Sequence, residues 1–316
     1  MAVIAREYDP GIRTLMAQSS RRAPSGAADS KIPRKKPIYP ISAERELARV
    51  YLSIANGIIK MSKPYIDRIA AVYGVWADEN VRVDARISIQ DGISEIMEEY
   101  GDAMSAGMDF GEISKLTERA AKVARGASLR DWRATVKDSL DLMIDTPFYE
   151  ETTEDLVTKF VYENVSYIQS YPQELLGKIQ EVIEWGYNTH QPLVNVYRRL
   201  EKITGDTRAH VRMVARDQMG TLTCQLTRKE HESLGVTHYI WVTRRDNRVR
   251  ECHRELDGKM FSWDNPPAMW YETKSRGIVY TGRYCHPGQD YCCRCMAKPV
   301  FDPNAVTAAI ARGSVR

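Results

Sequence analysis

Between Cys285 and Cys295 the chain reads CHPGQDYCCRC, which places four of its six cysteines and one of its six histidines within eleven residues. Thiolates and imidazoles at that density are the donor set of tetrahedral zinc, and a closed four-ligand site contributes folding energy rather than reactivity. A second pair, Cys252 and His253, lies about thirty residues upstream in RVRECHRELDG, a separation at which one ion can close a hairpin or loop. His253, His286, Cys293 and Cys295 are the first choice of ligands. Cys252 and Cys285 are the alternates, and Cys292 ranks behind them because adjacent cysteines rarely both reach one ion. CxC chelates less commonly than CxxC, so the competing reading is a set of buried apolar thiols with His253 hydrogen-bonded in a core. Disulfides rank lower, since MAVIAREYDPGIR carries charge where a secretory signal would be apolar, and a reducing cytosol keeps thiols free.

The remaining chemistry-bearing residues do not read as an enzyme. No nucleophile, base and orienter stand out together. Asp246, Asp257 and Asp264 each sit beside Asn or Gly and read as turn residues as readily as ligands of a catalytic metal. A zinc-stapled nuclease of the His-Asn-His type is the competing enzyme class, with a DNA-binding module as a third reading. The nuclease would need a catalytic histidine next to a metal-binding His or Asn, yet His253 has no following Asn-His pair at suitable spacing and no histidine follows Cys295.

A small Cys/His-rich region must be carried by other elements. Leu47, Val50, Tyr51, Ile54 and Ile58 recur at helical spacing behind Ser42, a plausible cap. Similar stripes run through Ile89, Ile93, Ile96 and Met97, and through Leu156, Phe160, Val161, Val165 and Ile168. Pro172 is expected to open a further helix through Leu175, Ile179 and Ile183. Leu193, Val196 and Leu200 lead to ITGDT, where Gly205 and Asp206 read as a break. A last long helix follows from Ala209 to Leu234, ended by Gly235. HYIWVT then alternates as a strand, LDGKMF reads as a hairpin about its Asp-Gly turn, WDNPPAMW as an irregular loop, and RCMAKPVF as an edge strand because of Pro299. The fold class is mainly α: a helical body followed by a small α+β C-terminal module stapled by Zn2+, the ion compensating for a small core. The divisions expected are a basic flexible arm (1–40), the helical body (41–205), the Cys/His module (206–301) and a C-terminal tail (302–316).

Charge singles out the arm. Its first forty residues hold Arg6, Arg13, Arg21, Arg22, Lys31, Arg34, Lys35 and Lys36 against Glu7, Asp9 and Asp29, in a chain whose formal net charge is only +3. With no apolar period the arm cannot order itself alone, and attraction to phosphate or an acidic surface should concentrate there. No apolar run reaches the length of a membrane span, so a soluble chain without a membrane partner is expected.

The order ARDQ, an apolar strand, RDNRVRxxHxxLDGKxF, WDNPP, HPGxDYxCRC and a final KPV resembles the head-morphogenesis or minor capsid family of tailed phages typified by protein F of phage Mu. The motifs run from Thr207 to Val300, and YPISAERELARVY, ENVSYIQSYPQ and KITGDTRAHVRMVARDQ resemble the helical part of the same proteins. The family pattern falls on Asp246, His253, Asp257, Gly258, Pro287, Gly288, Cys293, Arg294 and Cys295. One departure is Arg250, where many relatives carry a cysteine, so Cys252, Cys285 or His286 would have to supply a missing ligand. The resemblance implies a virion head protein assembled in the host bacterial cytoplasm. It would associate with the portal protein and with the major capsid protein or scaffold, and the basic arm offers a contact to packaged DNA.

Overall fold

The computed structural model describes residues 30–76, 83–144 and 146–311. Long helices come first: α1 (Ile41–Trp76), α2 (Val83–Ala106), α3 (Phe110–Leu140), α4 (Thr146–Thr189) and α5 (Leu193–Ser233). A mixed region follows, comprising β1 (His238–Val242), α6 (Glu251–Leu256), β2 (Met260–Ser262), β3 (Ala268–Thr273), β4 (Gly277–Tyr284), β5 (Met296–Pro299) and α7 (Pro303–Ala311). The chain is therefore mainly helical with small C-terminal sheets. Among the described residues no helix is long and apolar enough to cross a membrane.

The apolar stripes are core faces. Leu47, Val50, Tyr51 and Ile58 are buried along α1, Ile93 and Ile96 along α2, and Phe160 and Ile168 along α4; the side chain of Ile89 lies outside the described residues. Two expected breaks are absent. Pro172 lies inside α4, and α5 runs through Gly205 and Asp206 without interruption. An interior proline costs roughly 3 kcal/mol and a glycine about 1 kcal/mol in a helix, but each is flanked by a continuous buried stripe: Ile168, Tyr171, Leu175 and Ile179 around the first, Val196, Leu200, Val211 and Ala215 around the second. Packing overrides local propensity there.

The chain divides into two compact units that interleave along the sequence. One is formed by Glu44–Ala120 and Thr158–Arg216, the other by the described parts of Met1–Ala43, Ala121–Val157 and Asp217–Arg316. The divisions between the units fall at the start of α1 and within α3, α4 and α5. Among the described residues the first unit contains helices and no strand, and its buried side chains include Tyr51, Tyr73, Tyr100, Met104, Ile179 and Leu200. Three of its buried phenols are paired: Tyr51 donates to Asn164, Tyr100 pairs with Ser62, and Tyr73 donates to the Gln191 carbonyl at 2.9 Å.

The second unit carries the Cys/His region. Its three-stranded sheet has the order β2-β1-β5, with β1 antiparallel to both neighbours and Tyr239 opposite Phe261 and Pro299. Tyr239 and Trp241 of β1 are fully buried, as the alternation predicts, and Pro299 does lie on an edge strand. LDGKMF is not a hairpin: Asp257 and Gly258 join α6 to β2, with Gly258 at φ +80° and its N–H donating to the Trp241 carbonyl at 2.8 Å. The hairpin is β3-β4 instead, with a bulge between Ala268 and Trp270. Residues 30–40, assigned above to the arm, join this unit. Lys31 and Phe301 exchange backbone hydrogen bonds at 2.9 Å each, and Tyr39 is buried. The tail likewise forms α7, whose Val306 and Ala309 pack with Trp132, Leu234 and Phe301. Residues 1–29 and 312–316 lie outside the described residues.

Glu230 of α5 is buried in this unit and accepts hydrogen bonds from Ser128 at 2.6 Å and Tyr149 at 2.8 Å. Burial pushes its carboxyl up to about 7, against the two donors. The folded chain therefore holds this proton more tightly than the unfolded chain, and stability falls as pH rises from the ordinary carboxyl range through about 7. Glu230→Gln should remove that slope and stabilise the unit at alkaline pH by a few kcal/mol, as measured by urea denaturation across the pH range.

Candidate metal centre

Three elements deliver the side chains. His253 stands on α6, Cys293 lies in the turn before β5, and Cys295 immediately precedes that strand. The Nδ1 of His253 lies 3.7 Å from Cys293 Sγ and 3.7 Å from Cys295 Sγ. The three ligand atoms fall within 4.8 Å of one another, all on buried residues, and form the one such group among the described residues. Zinc with Zn–N near 2.0–2.1 Å and Zn–S near 2.3 Å at a tetrahedral angle requires about 3.6 Å between nitrogen and sulfur. The group therefore needs little rearrangement to hold a metal of that size.

Surrounding groups set the protonation of the triad: they favour the thiolate at Cys293, the form a metal takes, but hold a proton on His253 that a metal must displace. The backbone N–H groups of Gly288 and Cys295 both point at Cys293 Sγ from 3.4 Å. Donors from Cys295, opposing burial, and the nearby His253 hold the Cys293 thiol well below its usual range. The other face of His253 meets Asp290, with Nε2 3.2 Å from Oδ2. Burial disfavours charge on His253, but hydrogen bonds to Asp290, Cys252 and Cys293 raise it to about 11. Asp290 is itself buried, yet His253 and Arg250 keep its carboxyl below the ordinary range. Arg250 pairs with Asp290 and donates to the Tyr291 carbonyl at 2.5 Å, while Arg283 donates to Asp290 at 2.8 Å. A carboxylate on the far nitrogen of a histidine fixes the tautomer and aims the near nitrogen at the metal.

The structure brings together three of the four first-choice ligands. His286 is elsewhere in the same core: its Nδ1 faces the Tyr239 hydroxyl at 2.9 Å, its ring packs on Trp263, and burial lowers it to about 4, so it is a neutral core histidine. Cys252 and Cys285 are buried but outside the group. Cys292 is also outside the group, sits at φ +51° and donates its N–H to Asp217. Arg250 serves Asp290 where a cysteine ligand was considered. Asp257 closes the turn after β1 by accepting from Thr243 N–H at 2.8 Å and Arg245 at 2.9 Å. Asp246 ties Arg294 to the same turn at 2.7 Å, so both aspartates act as turn residues.

Sequence reading missed Asp290, although it sits inside HPGxDYxCRC; a carboxylate three residues before a cysteine ligand was the available signal. With Asp290 in place, Cys293, His253 and Asp290 also line up as a thiol, a base and an orienter. Two observations favour chelation over nucleophilic chemistry. Cys293 and Cys295 are equidistant from the same nitrogen, and each of the three donor residues is only 3% exposed, whereas reactive cysteines are partly accessible. Asp290→Asn should lower metal affinity about 10–100-fold while leaving the fold intact, as read by competition with a chromogenic chelator.

Residues 176–298 match the family described as Phage Mu protein F like protein, which bears out the resemblance carried by the motifs of this region. A Haemophilus influenzae (strain ATCC 51907 / DSM 11121 / KW20 / Rd) protein described as uncharacterized is 29% identical over 201 residues, covering 61% of this chain. The match spans 42% of that relative's length. No solved structure matches the chain.

Proposed function

We propose that the chain is a structural minor capsid protein of phage head morphogenesis, located in the virion head and without catalytic turnover. The family match across residues 176–298 carries this reading, because it contains the whole Cys/His triad and the helix that supports it. In this reading Zn2+, bound by His253, Cys293 and Cys295, staples the small C-terminal sheet, as suits a module with two thiolate donors and a limited core. The helical unit offers packing surface to the portal protein or to the major capsid protein or scaffold. The basic arm supplies a salt-sensitive contact to an acidic protein surface or to packaged DNA. Assembly takes place in the host bacterial cytoplasm, where thiols stay reduced.

Quantitative mass spectrometry of purified particles and of portal-bound subassemblies is the decisive measurement. A fixed low copy number in heads, retained with the portal, is the expected result; absence from particles overturns the reading. Metal-dependent DNA cleavage by the purified chain, abolished in a folded His253→Ala variant, would establish the nuclease alternative instead.

A further inference from the structure

A pocket of about 60 Å3 is lined by the triad residues His253, Cys293 and Cys295 together with Arg244, Arg248, Arg250 and Arg294. That space holds several waters or one small oxyanion. The charges at its rim are not all neutralised. Arg294 is paired with Asp246, and Arg250 shares Asp290 with Arg283. Arg244 and Arg248 are exposed and have no carboxylate partner among the described residues. A divalent metal bound by two thiolates and a neutral imidazole adds no net charge, so the pocket stays positive when loaded.

The same geometry leaves a tetrahedral ion one ligand short. Three protein atoms converge, no further Cys, His, Asp or Glu joins them among the described residues, and all three residues line the pocket. Structural zinc sites close with four protein ligands, whereas three ligands plus an open position are the layout of sites that bind an exogenous group. We propose that this centre is open, and that its fourth position takes a phosphate oxygen whose remaining oxygens are held by Arg244, Arg248 and Arg250. This rests on the metal reading of the triad. Guanidinium forks suit phosphate because they meet two oxygens at once. The donors are nearly buried and the pocket is small, so in this proposal the ligand is a free or terminal phosphate and not the continuous phosphodiester backbone of a nucleic acid.

The test uses the full chain loaded with Co2+, whose ligand-field bands report the coordination shell. A sulfur-to-cobalt charge-transfer band should appear on loading, and inorganic phosphate should then shift the ligand-field bands saturably. In the Arg244→Gln/Arg248→Gln double variant the charge-transfer band and the metal stoichiometry should be unchanged, while phosphate affinity falls about tenfold or more. An oligonucleotide with a terminal phosphate should compete, and its dephosphorylated counterpart should not. Failure to take up cobalt sinks the metal reading itself and is seen before phosphate is added. Cobalt uptake with bands that phosphate does not move sinks only the open site. Equal competition by the dephosphorylated oligonucleotide, or phosphate binding unaffected by loss of both arginines, also overturns the proposal.

Discussion

Cys293→Ser should release the metal and loosen the C-terminal region while the helical unit formed by Glu44–Ala120 and Thr158–Arg216 remains folded. Cys293 accepts two backbone N–H groups, faces His253, and lies in the buried cluster with Cys224, Trp241 and Cys295. A serine hydroxyl is a poor ligand for a soft thiolate site, so the binding free energy disappears with the sulfur. Binding linkage puts a floor on the effect: a metal present at a thousand times its dissociation constant stabilises the folded state by about 4 kcal/mol. In the loaded wild type that margin should appear as loss of the upper unfolding transition on chelation. The variant should show the lower transition with or without chelator. Equal stability of variant and loaded wild type, or metal retained at full stoichiometry by the variant, would refute the staple and leave the thiols as core residues.

What could be read from the sequence follows from which interactions are local. Helical stripes such as Leu47 to Ile58 and the alternation of HYIWVT are patterns within one element, and they became core faces as expected. The identity of the ligand group was half local: CRC supplied two sulfurs, and His253 was reachable because α6 sets it in a short helix opposite the turn. His286 could not be separated from it on spacing, since the difference lies in Tyr239 and Trp263, which come from elsewhere in the chain. Pro172 and Gly205 misled for the same reason. Local propensity marks both as breaks, and the tertiary burial of the stripes that flank them outweighs it. The interleaved units were illegible, because α3, α4 and α5 keep helical periodicity straight through the points where their packing partners change.

Gly220→Ala is the second large expected effect, and it concerns how α5 holds the ligand turn. In a free helix alanine is favoured over glycine by about 1 kcal/mol. Here a Cβ on Gly220 would stand 2.7 Å from the Gly288 carbonyl oxygen and 3.1 Å from the Cys293 carbonyl oxygen, both backbone atoms that no rotamer change can move. Gly288 meets the reciprocal constraint: its Cβ would lie 2.7 Å from the Gly220 carbonyl oxygen, and its φ of +94° already requires glycine. Asp217, one turn earlier on α5, accepts the Cys292 N–H, so this helix both spaces and anchors the segment that carries Cys293. Alanine at 220 must push that segment away, which opens the triad and should cost about 2–4 kcal/mol net of propensity, together with a measurable loss of metal affinity. Gly57→Ala is the control. It lies in α1 with nothing within 4 Å of the added carbon, and should stabilise its unit by up to about 1 kcal/mol. If Gly220→Ala is as benign as Gly57→Ala in urea denaturation and binds metal normally, the close approach of α5 to the ligand turn is not what positions Cys293.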